Sequence, residues 1–462
     1  MATDRVHRYI DDHRGESLEI LKTLVRQPSI SAQDKGVKEC AALLAGIMRD
    51  LGVGAEVLAT PTQPVVYGEL RTDPRAFTLL VYGHYDVQPP EPLDLWSSPP
   101  FEPTVRDGRL YGRGTGDNKG QLLTHLLAAH AWTQVAGGPP INLKFVFEGE
   151  EESGSQHLAS FVREHRARLG ADLVYISDGG LHPSGAPVIS LGNRGVLQIA
   201  LVAQGARWDN HSGNMGGVVP NPVWMLVHLL STMVDPSGRV LVEGFYDRVR
   251  PVGPTEERLL AALDFEPEAF AATMGLERLA VDGPTYWRRI MLEPYINIQG
   301  VAGGYVGPGS KTIIPSTAEC RIDIRLVVDQ RTEEIFQKVR AHVEKVDPRV
   351  QVVDRGLGRM EPSRTPPDHP AVAVVARAVA AIRGVEPVII PSSGGSLPNA
   401  VWPDVLGVPH LCVPYANADE NNHAPNENLS LERFYDGIHV SAQVFQVLAA
   451  ADASGEVPRR AD

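Results

Sequence analysis

Cysteine is scarce in this chain. There are three in 462 residues, Cys40, Cys320 and Cys412, each in an apolar context. That excludes a disulfide framework and predicts buried thiols in a reducing compartment. Aromatic residues make up only 6%, and basic residues are in deficit: 43 Lys and Arg against 56 Asp and Glu, a formal net charge of −13. An acidic chain with no Lys/Arg stripe interleaved with aromatics is a poor nucleic-acid binder. No apolar run is long enough to cross a membrane. The stretch Met1 to Arg8 lacks the apolar core of a signal peptide, so cytoplasm is the expected compartment. What is present, 43% hydrophobic and 21% charged residues, describes a folded globular protein and excludes disorder. A chain of this length exceeds one ordinary core, so two domains are expected.

Helical spacing of apolar residues predicts helices over Ile10 to Val25, Lys38 to Leu51, Gly120 to Val135 and, after the acidic run, Ser155 to Leu169. A short continuous apolar run predicts a buried strand at Phe77 to Tyr82, and apolar β-type runs predict further strands at Ile141 to Phe147 and Asp172 to Ile176. Strands alternating with helices imply an α/β domain, a mostly parallel sheet sandwiched by helices. Near Gly192 the pattern changes. Val196 to Val202 and Ala318 to Val327 alternate apolar and polar residues, and helices are expected at Pro222 to Met233 and Glu333 to Val346. One-faced strands with helices on the other side predict an inserted α+β domain at 195–365. Residues 1–194 and 366–462 then form the first domain, with the Pro-rich run Glu361 to Pro367 as the link back. A helix from Ala371 to Ile382 and a strand near Val408 to Val413 rejoin it, and the tail from Ala453 reads as loose.

Five segments carry chemistry: Gly83-His84-Tyr85-Asp86, Gly112 to Gly120 with Asp117, Glu148 to Ser155 with Glu151 and Glu152, Ser177-Asp178-Gly179-Gly180, and Asn421 to Glu427 with His423. Four of them follow predicted strands, and the C-terminal strand ends of a parallel sheet lie along one edge. Adjacent like charges there raise the cost of keeping every carboxylate ionised, and a divalent cation is the simplest offset. Two imidazoles and several carboxylates without thiolate suit Zn²⁺, or Mn²⁺ or Co²⁺. Two ions in one cleft need a bridging carboxylate and sit about 3.5–4 Å apart. Each segment alone also has an ordinary reading. His84 could be a satisfied polar residue whose ring Asp86, on the same side of an extended segment, hydrogen-bonds in a turn. Glu150-Glu151-Glu152 could be a solvated helix start favoured by the dipole. The glycine-rich loop before Asp117 could cradle a phosphate, although it lacks the Gly-Lys-Ser/Thr ending of a P-loop. Asp178-Gly179-Gly180 could be a plain turn and His423 a plain loop histidine. Only the joint occurrence, in this order at strand ends, is specific.

In these stretches the chain resembles the di-zinc metallohydrolases that include cytosolic nonspecific dipeptidase, carnosinase, glutamate carboxypeptidase and aminoacylase. The matching residues are Gly83 to Pro89, Gly112 to Gly120, Glu148 to Ser155, Ser177 to Gly179 and His423. The dipeptidase branch is the nearer one, through His211-Ser212-Gly213, Lys311 to Pro315 and Ile324-Arg325-Leu326. The resemblance implies that His84 and Asp178 hold one metal and Glu152 and His423 the other, bridged by Asp117. It implies Glu151 as general base, Asp86 as the residue orienting His84, and a cis peptide between Asp117 and Asn118. It implies a homodimer in which the inserted lid domain brings His211 to the partner's active site. Arg325, Thr312 and Ser396 are implied to grip a substrate carboxylate, and His369 to stand on the substrate side. The implied reaction is hydrolysis of the amide bond of dipeptides or close relatives with a free C-terminal carboxylate. Attack is by a metal-bridging water that Glu151 deprotonates. One difference bears on substrate preference: Ser392-Ser393 stands where those dipeptidases carry Arg-Glu before Gly-Gly-Ser. The alternatives are an N-acyl-amino-acid deacylase or desuccinylase with the same metals, a catalytically silent binding protein on the same fold, and a nucleotide-binding protein built on the Gly114 to Gly120 loop.

Overall fold

Alternate residues of the central strands serve two different cores. In the strand Thr78–His84, Leu79 and Val81 are buried in one cluster, while Leu80 and Tyr82 are buried in another. In Asn142–Glu148, Leu143, Phe145 and Phe147 join the first cluster and Val146 the second; in Leu173–Ile176, Leu173 and Tyr175 part from Val174 and Ile176 in the same way. A strand buried on both faces calls for an unbroken apolar run. Leu79 to Tyr82 and Leu173 to Ile176 supply one, and in Asn142–Glu148 only Lys144 interrupts it, its ammonium donating to the carbonyls of Arg168 and Gly170. The computed structural model describes residues 2–279, 281–356 and 358–460. Among these the chain divides into two compact units, Met1–Gly192 with Thr365–Pro391 and Val401–Asp462, and Asn193–Arg364 with Ser392–Ala400.

The first unit is built on an eight-stranded sheet. Its middle is parallel: Asn142–Glu148, Thr78–His84, Leu173–Ile176 and His410–Cys412 lie side by side in that order. Outside that middle the sheet departs from the parallel expectation. Gly54–Leu58 and Val65–Leu70 add antiparallel strands at one side, and Val188–Ser190 meets His410–Cys412 antiparallel before pairing parallel with Val388–Ile390. The helices Val37–Asp50, Lys119–Ala136, Pro370–Arg383 and Leu431–Ala453 supply the larger cluster; Lys119–Ala136 is buried on nearly all sides, its polar Lys119, Gln121, Thr124 and His125 included, because Leu431–Ala453 and the N-terminal helices pack over it. The opposite face is covered by Leu158–Glu164 and the segment around Trp402.

Two predicted helices are broken. The first is a pair, Ala2–Asp12 and Arg14–Arg26, with His13 between them, and the one after the acidic run splits at His165 into Leu158–Glu164 and Arg166–Leu169. The tail is anchored through Arg460: Val457 is buried, Glu456 pairs with Arg377 at 2.8 Å, and the Arg460 N–H donates to Asp172 at 2.8 Å. The three cysteines are free and buried, and no helix among the described residues is long and apolar enough to cross a membrane.

The second unit carries an antiparallel sheet in the order Tyr295–Gly303, Thr317–Leu326, Gly195–Gln204, Val350–Val353. The helices Pro222–Met233 and Thr332–Val346 bury Leu226, Leu229, Val339 and Val343 in the same cluster as the inward residues of those strands, Leu197, Ile199, Ile322 and Ile324. A small ladder pairs Asn210–His211 with Ile313–Ile314.

Candidate metal centre

The parallel strands of the first unit end along one edge, and the acidic and imidazole side chains project from there. His84 is the last residue of its strand and fully buried. Its Nδ1–H donates to the backbone carbonyl of Asp86 at 3.1 Å. A carbonyl can only accept, so this bond fixes the tautomer and leaves the lone pair on Nε2. Nε2 makes no directed hydrogen bond, yet Asp117 Oδ1 lies 3.1 Å away and Asp178 Oδ2 3.6 Å away. On the other side of Asp117, Oδ2 is 3.1 Å from His423 Nε2, which is 3.3 Å from Glu152 Oε2. Two groups with metal-ligand geometry result, His84–Asp117–Asp178 and Asp117–Glu152–His423, sharing Asp117.

Lone pairs and carboxylate oxygens at these distances repel unless a proton or a cation sits between them. Without a cation, protons fill that role. Burial disfavours the charged form of His84, but Asp117, Asp178 and Asp86 outweigh it and hold its pKa well above the usual imidazole range. Asp117 and Glu152 raise His423 to about 10. Burial opposes ionisation of Asp117, yet the two imidazoles pull it below the ordinary carboxylate range. Burial drives Glu151 well above that range, and Asp178, Glu152 and Asp117 add to the rise. An orphaned buried Nε2 and a shared carboxylate between two hard-donor groups are what a pair of divalent ions would satisfy.

Each residue of the acidic run has a separate task. Glu148 turns inward, takes the hydroxyls of Tyr82 and Ser155, and is pushed up to about 8 by burial. Glu150 accepts the N–H of His157 at 2.7 Å. Glu151 and Glu152 open a single 3-10 turn, Glu151–Ser153, instead of a long solvated helix. Both are held by Asp86, whose Oδ1 accepts the Glu151 N–H at 3.2 Å and whose Oδ2 accepts the Glu152 N–H at 3.0 Å. The expectation that the Asp86 carboxylate orients His84 therefore needs refining. Its oxygen stands 3.5 Å from Nδ1, the directed bond comes from its main chain, and the carboxylate anchors the turn that carries Glu151 and Glu152. Sequence reasoning also missed Gln88, which donates to Glu152 Oε2 at 2.8 Å, and Gln121, which donates to the carbonyls of Gly116 at 2.8 Å and Gly179 at 3.1 Å. Neither a lone glutamine in a loop nor one on a buried helix leaves a periodic trace.

The peptide between Asp117 and Asn118 is cis, and the Asn118 amide donates to the Ser177 carbonyl at 2.7 Å. The glycine-rich loop does not present an open anion cradle, because its N–H groups turn to a carboxylate of the chain itself, Glu427.

In the second unit the remaining candidates form two pairs. Arg325 Nη1 donates to Ser396 Oγ at 3.0 Å, with Asp323 3.4 Å from Nε. Thr312 is placed beside His211 instead, with Oγ1 3.5 Å from Nε2, and His211 Nδ1 accepts the Gly213 N–H at 3.0 Å. His211 is exposed in its own chain. His369 caps the helix Pro370–Arg383, its Nδ1 accepting the Ala371 N–H at 3.3 Å, and belongs to neither ligand group.

The family model described as peptidase family M20/M25/M40 matches residues 80–447. The Cys-Gly metallodipeptidase dug1 of Schizosaccharomyces pombe is 32% identical over 479 residues, covering 97% of this chain and 99% of that protein. Among solved structures, the M20 family metallo-carboxypeptidase Sso-CP2 from Sulfolobus solfataricus superposes with a TM-score of 0.87 at 34% identity, over 94% of this chain and 99% of that one. Human carnosine dipeptidase 1 superposes with a TM-score of 0.77 at 29% identity, over 97% of this chain and all of that one.

Proposed function

We propose a specific activity from one premise: the chain belongs to peptidase family M20/M25/M40. It is a metal-dependent hydrolase that cleaves the amide bond of dipeptides or close relatives with a free C-terminal carboxylate. The observation that carries this reading is the pair of ligand groups sharing Asp117. His84 and Asp178 would hold one divalent ion and Glu152 and His423 the other, with Asp117 available to both. Nitrogen and oxygen donors without thiolate favour Zn²⁺, with Mn²⁺ or Co²⁺ as alternatives. When bound, such a pair lowers the pKa of water toward about 7 and polarises a carbonyl.

The rest is done by the chain. Glu151 takes the proton of the attacking water and returns it to the leaving amine. Asp86 fixes the turn that carries Glu151 and locks the His84 tautomer. The partner subunit's His211 donates to the developing oxyanion, and a donor of that kind contributes about 2.7–4 kcal/mol. A homodimer is supported by the edge strand Tyr295–Gly303, which leaves Ile298 49% and Val301 51% exposed beside an unpaired backbone. The free buried cysteines favour a reducing compartment such as the cytoplasm.

The test is a substrate panel: Cys-Gly, Ala-Ala and β-Ala-His against N-acetyl and N-succinyl amino acids, with and without chelator. Chelator-sensitive turnover of the dipeptides is expected. Turnover of the acylated amino acids alone would replace this reading with a deacylase. Two further outcomes follow from the second unit. Arg325→Ala removes a guanidinium that can grip a carboxylate bidentately, so kcat/KM on free-acid dipeptides falls about 10- to 100-fold. Amidated dipeptides lose little, and equal loss on both would remove the clamp. His211→Ala subunits mixed with Glu151→Gln subunits regain part of the activity that each lacks alone, because one hybrid site has both groups intact. Verified heterodimers with no recovery would refute action across the interface.

A further inference from the structure

The Glu427 side chain is 0% exposed, and its carboxylate is enclosed by the loop that carries Asp117. Oε1 accepts the N–H of Gly116 at 3.0 Å and of Asp117 at 3.1 Å, and the Gly114 N–H is shared between both oxygens at 3.0 Å. Arg113 Nη1 donates to Oε2 at 2.8 Å, and the Gly112 N–H donates to the Glu427 main-chain carbonyl at 3.0 Å. Successive N–H groups wrapped round an anion form a nest, and the occupant of this one is covalently part of the protein. The glycines make it possible. Gly114 has φ +88°, and a Cβ on Gly116 would lie 2.2 Å from Glu420 Oε2.

The same short segment carries His423. Asn421, His423 and Asn426 all have positive φ, at 56°, 58° and 62°. Such a run persists only where both ends are held. Here Glu427 is locked in the nest and Asn428–Ser430 pairs with Arg109–Tyr111 on the C-terminal side, while on the N-terminal side the Glu420 N–H donates to the Asn417 carbonyl at 3.2 Å and the Glu420 carbonyl accepts the Asn428 N–H at 2.8 Å.

We infer that Glu427 is a positioning residue: its buried carboxylate sets the place of the shared Asp117 and, through the loop, of His423, so that one side chain tunes both metal positions. This rests on the two-metal reading above. A misplacement of about 1 Å at a reacting centre can cost 100-fold in rate, and residues behind the ligands typically control 10- to 100-fold in metal affinity.

The test titrates Co²⁺ alone into chelated protein, followed by its d–d absorption and by calorimetry. Glu427→Gln keeps the volume but offers one acceptor oxygen to a nest built for two. Affinity is expected to fall 10- to 100-fold for both ions, with partial rescue in Glu427→Asp. A variant whose melting temperature drops while both affinities stay within twofold of wild type would overturn the inference and leave Glu427 a purely structural residue. Backbone amide exchange at Gly114, Gly116 and Asp117 in chelated wild type gives a measurement independent of any variant. Strong protection is expected, because Glu427 and not the metal holds those N–H groups, and exchange at unprotected rates would overturn the inference. Wild type that binds no Co²⁺ would instead bring down the two-metal reading, and this inference with it.

Discussion

Glu151→Gln is expected to keep both metal ions and lose nearly all turnover. Glu151 feels the charges of His84, Asp178, Glu152 and Asp117 but belongs to neither ligand group. Its backbone N–H is held by Asp86, and that bond survives a change of side chain. Removing the carboxylate therefore removes a proton acceptor and leaves the ligand geometry in place. General acid–base catalysis contributes about 100- to 10,000-fold, and a group that both takes and returns the proton belongs at the upper end. Metal content by mass spectrometry and kcat on a dipeptide check the two halves separately. Full metal with lost turnover is the expected result. Lost metal would reassign Glu151 as a ligand, and near-normal turnover would remove it from the chemistry.

Asp117→Asn is expected to empty both positions at once. Asp117 is the one carboxylate common to the two groups, with Oδ1 3.1 Å from His84 and Oδ2 3.1 Å from His423. The imidazoles on either side hold it ionised, and a neutral amide supplies neither the charge nor the second anionic oxygen. Without either ion the water stays near its solution pKa, so activity drops by more than about 1,000-fold. Chelation of the wild type should give the same loss, reversed by adding Zn²⁺, whereas the variant should not recover at stoichiometric metal. Asp178→Asn touches only the His84 group and is expected to cost one ion. Loss of a single ion from Asp117→Asn would show that the carboxylate is not shared.

What could be read from the sequence was whatever follows from pattern. Leu79 to Tyr82 and Leu173 to Ile176 are continuous apolar runs because both faces of those strands are buried. That His84, Glu152 and Asp178 come close together also follows from pattern, since each stands at or just past the end of such a run. His423 stands further along, past the strand predicted near Val408 to Val413, while Asp117 follows no predicted strand and its place depended on resemblance. The short strands Val188–Ser190 and Val388–Ile390 were hidden because three residues carry no period. The break at His165 has no proline or glycine beside it, and the one at His13 is flanked only by Gly15, which lies inside the second helix. Glu427 looks like one more acid in a polar loop; only the closed fold shows it buried, 314 residues from the arginine it meets. The double grip of Asp86 on Glu151 and Glu152 spans 65 and 66 residues and, like most long-range side chain-to-backbone bonds, leaves no mark in the sequence. Ser392–Ala400 belongs to the second unit because Arg194 and Arg325 hold it there through Gly394 and Ser396. No local composition signals that.

The central claim is that scattered acids and imidazoles are arranged around two cations. Anomalous diffraction from crystals grown with Zn²⁺, collected on either side of the zinc edge, tests it most directly. The account predicts two zinc peaks, one contacted by His84 and Asp178 and the other by Glu152 and His423, with a carboxylate oxygen of Asp117 on each. A single peak, or zinc bound elsewhere while these side chains keep only one another, would contradict it.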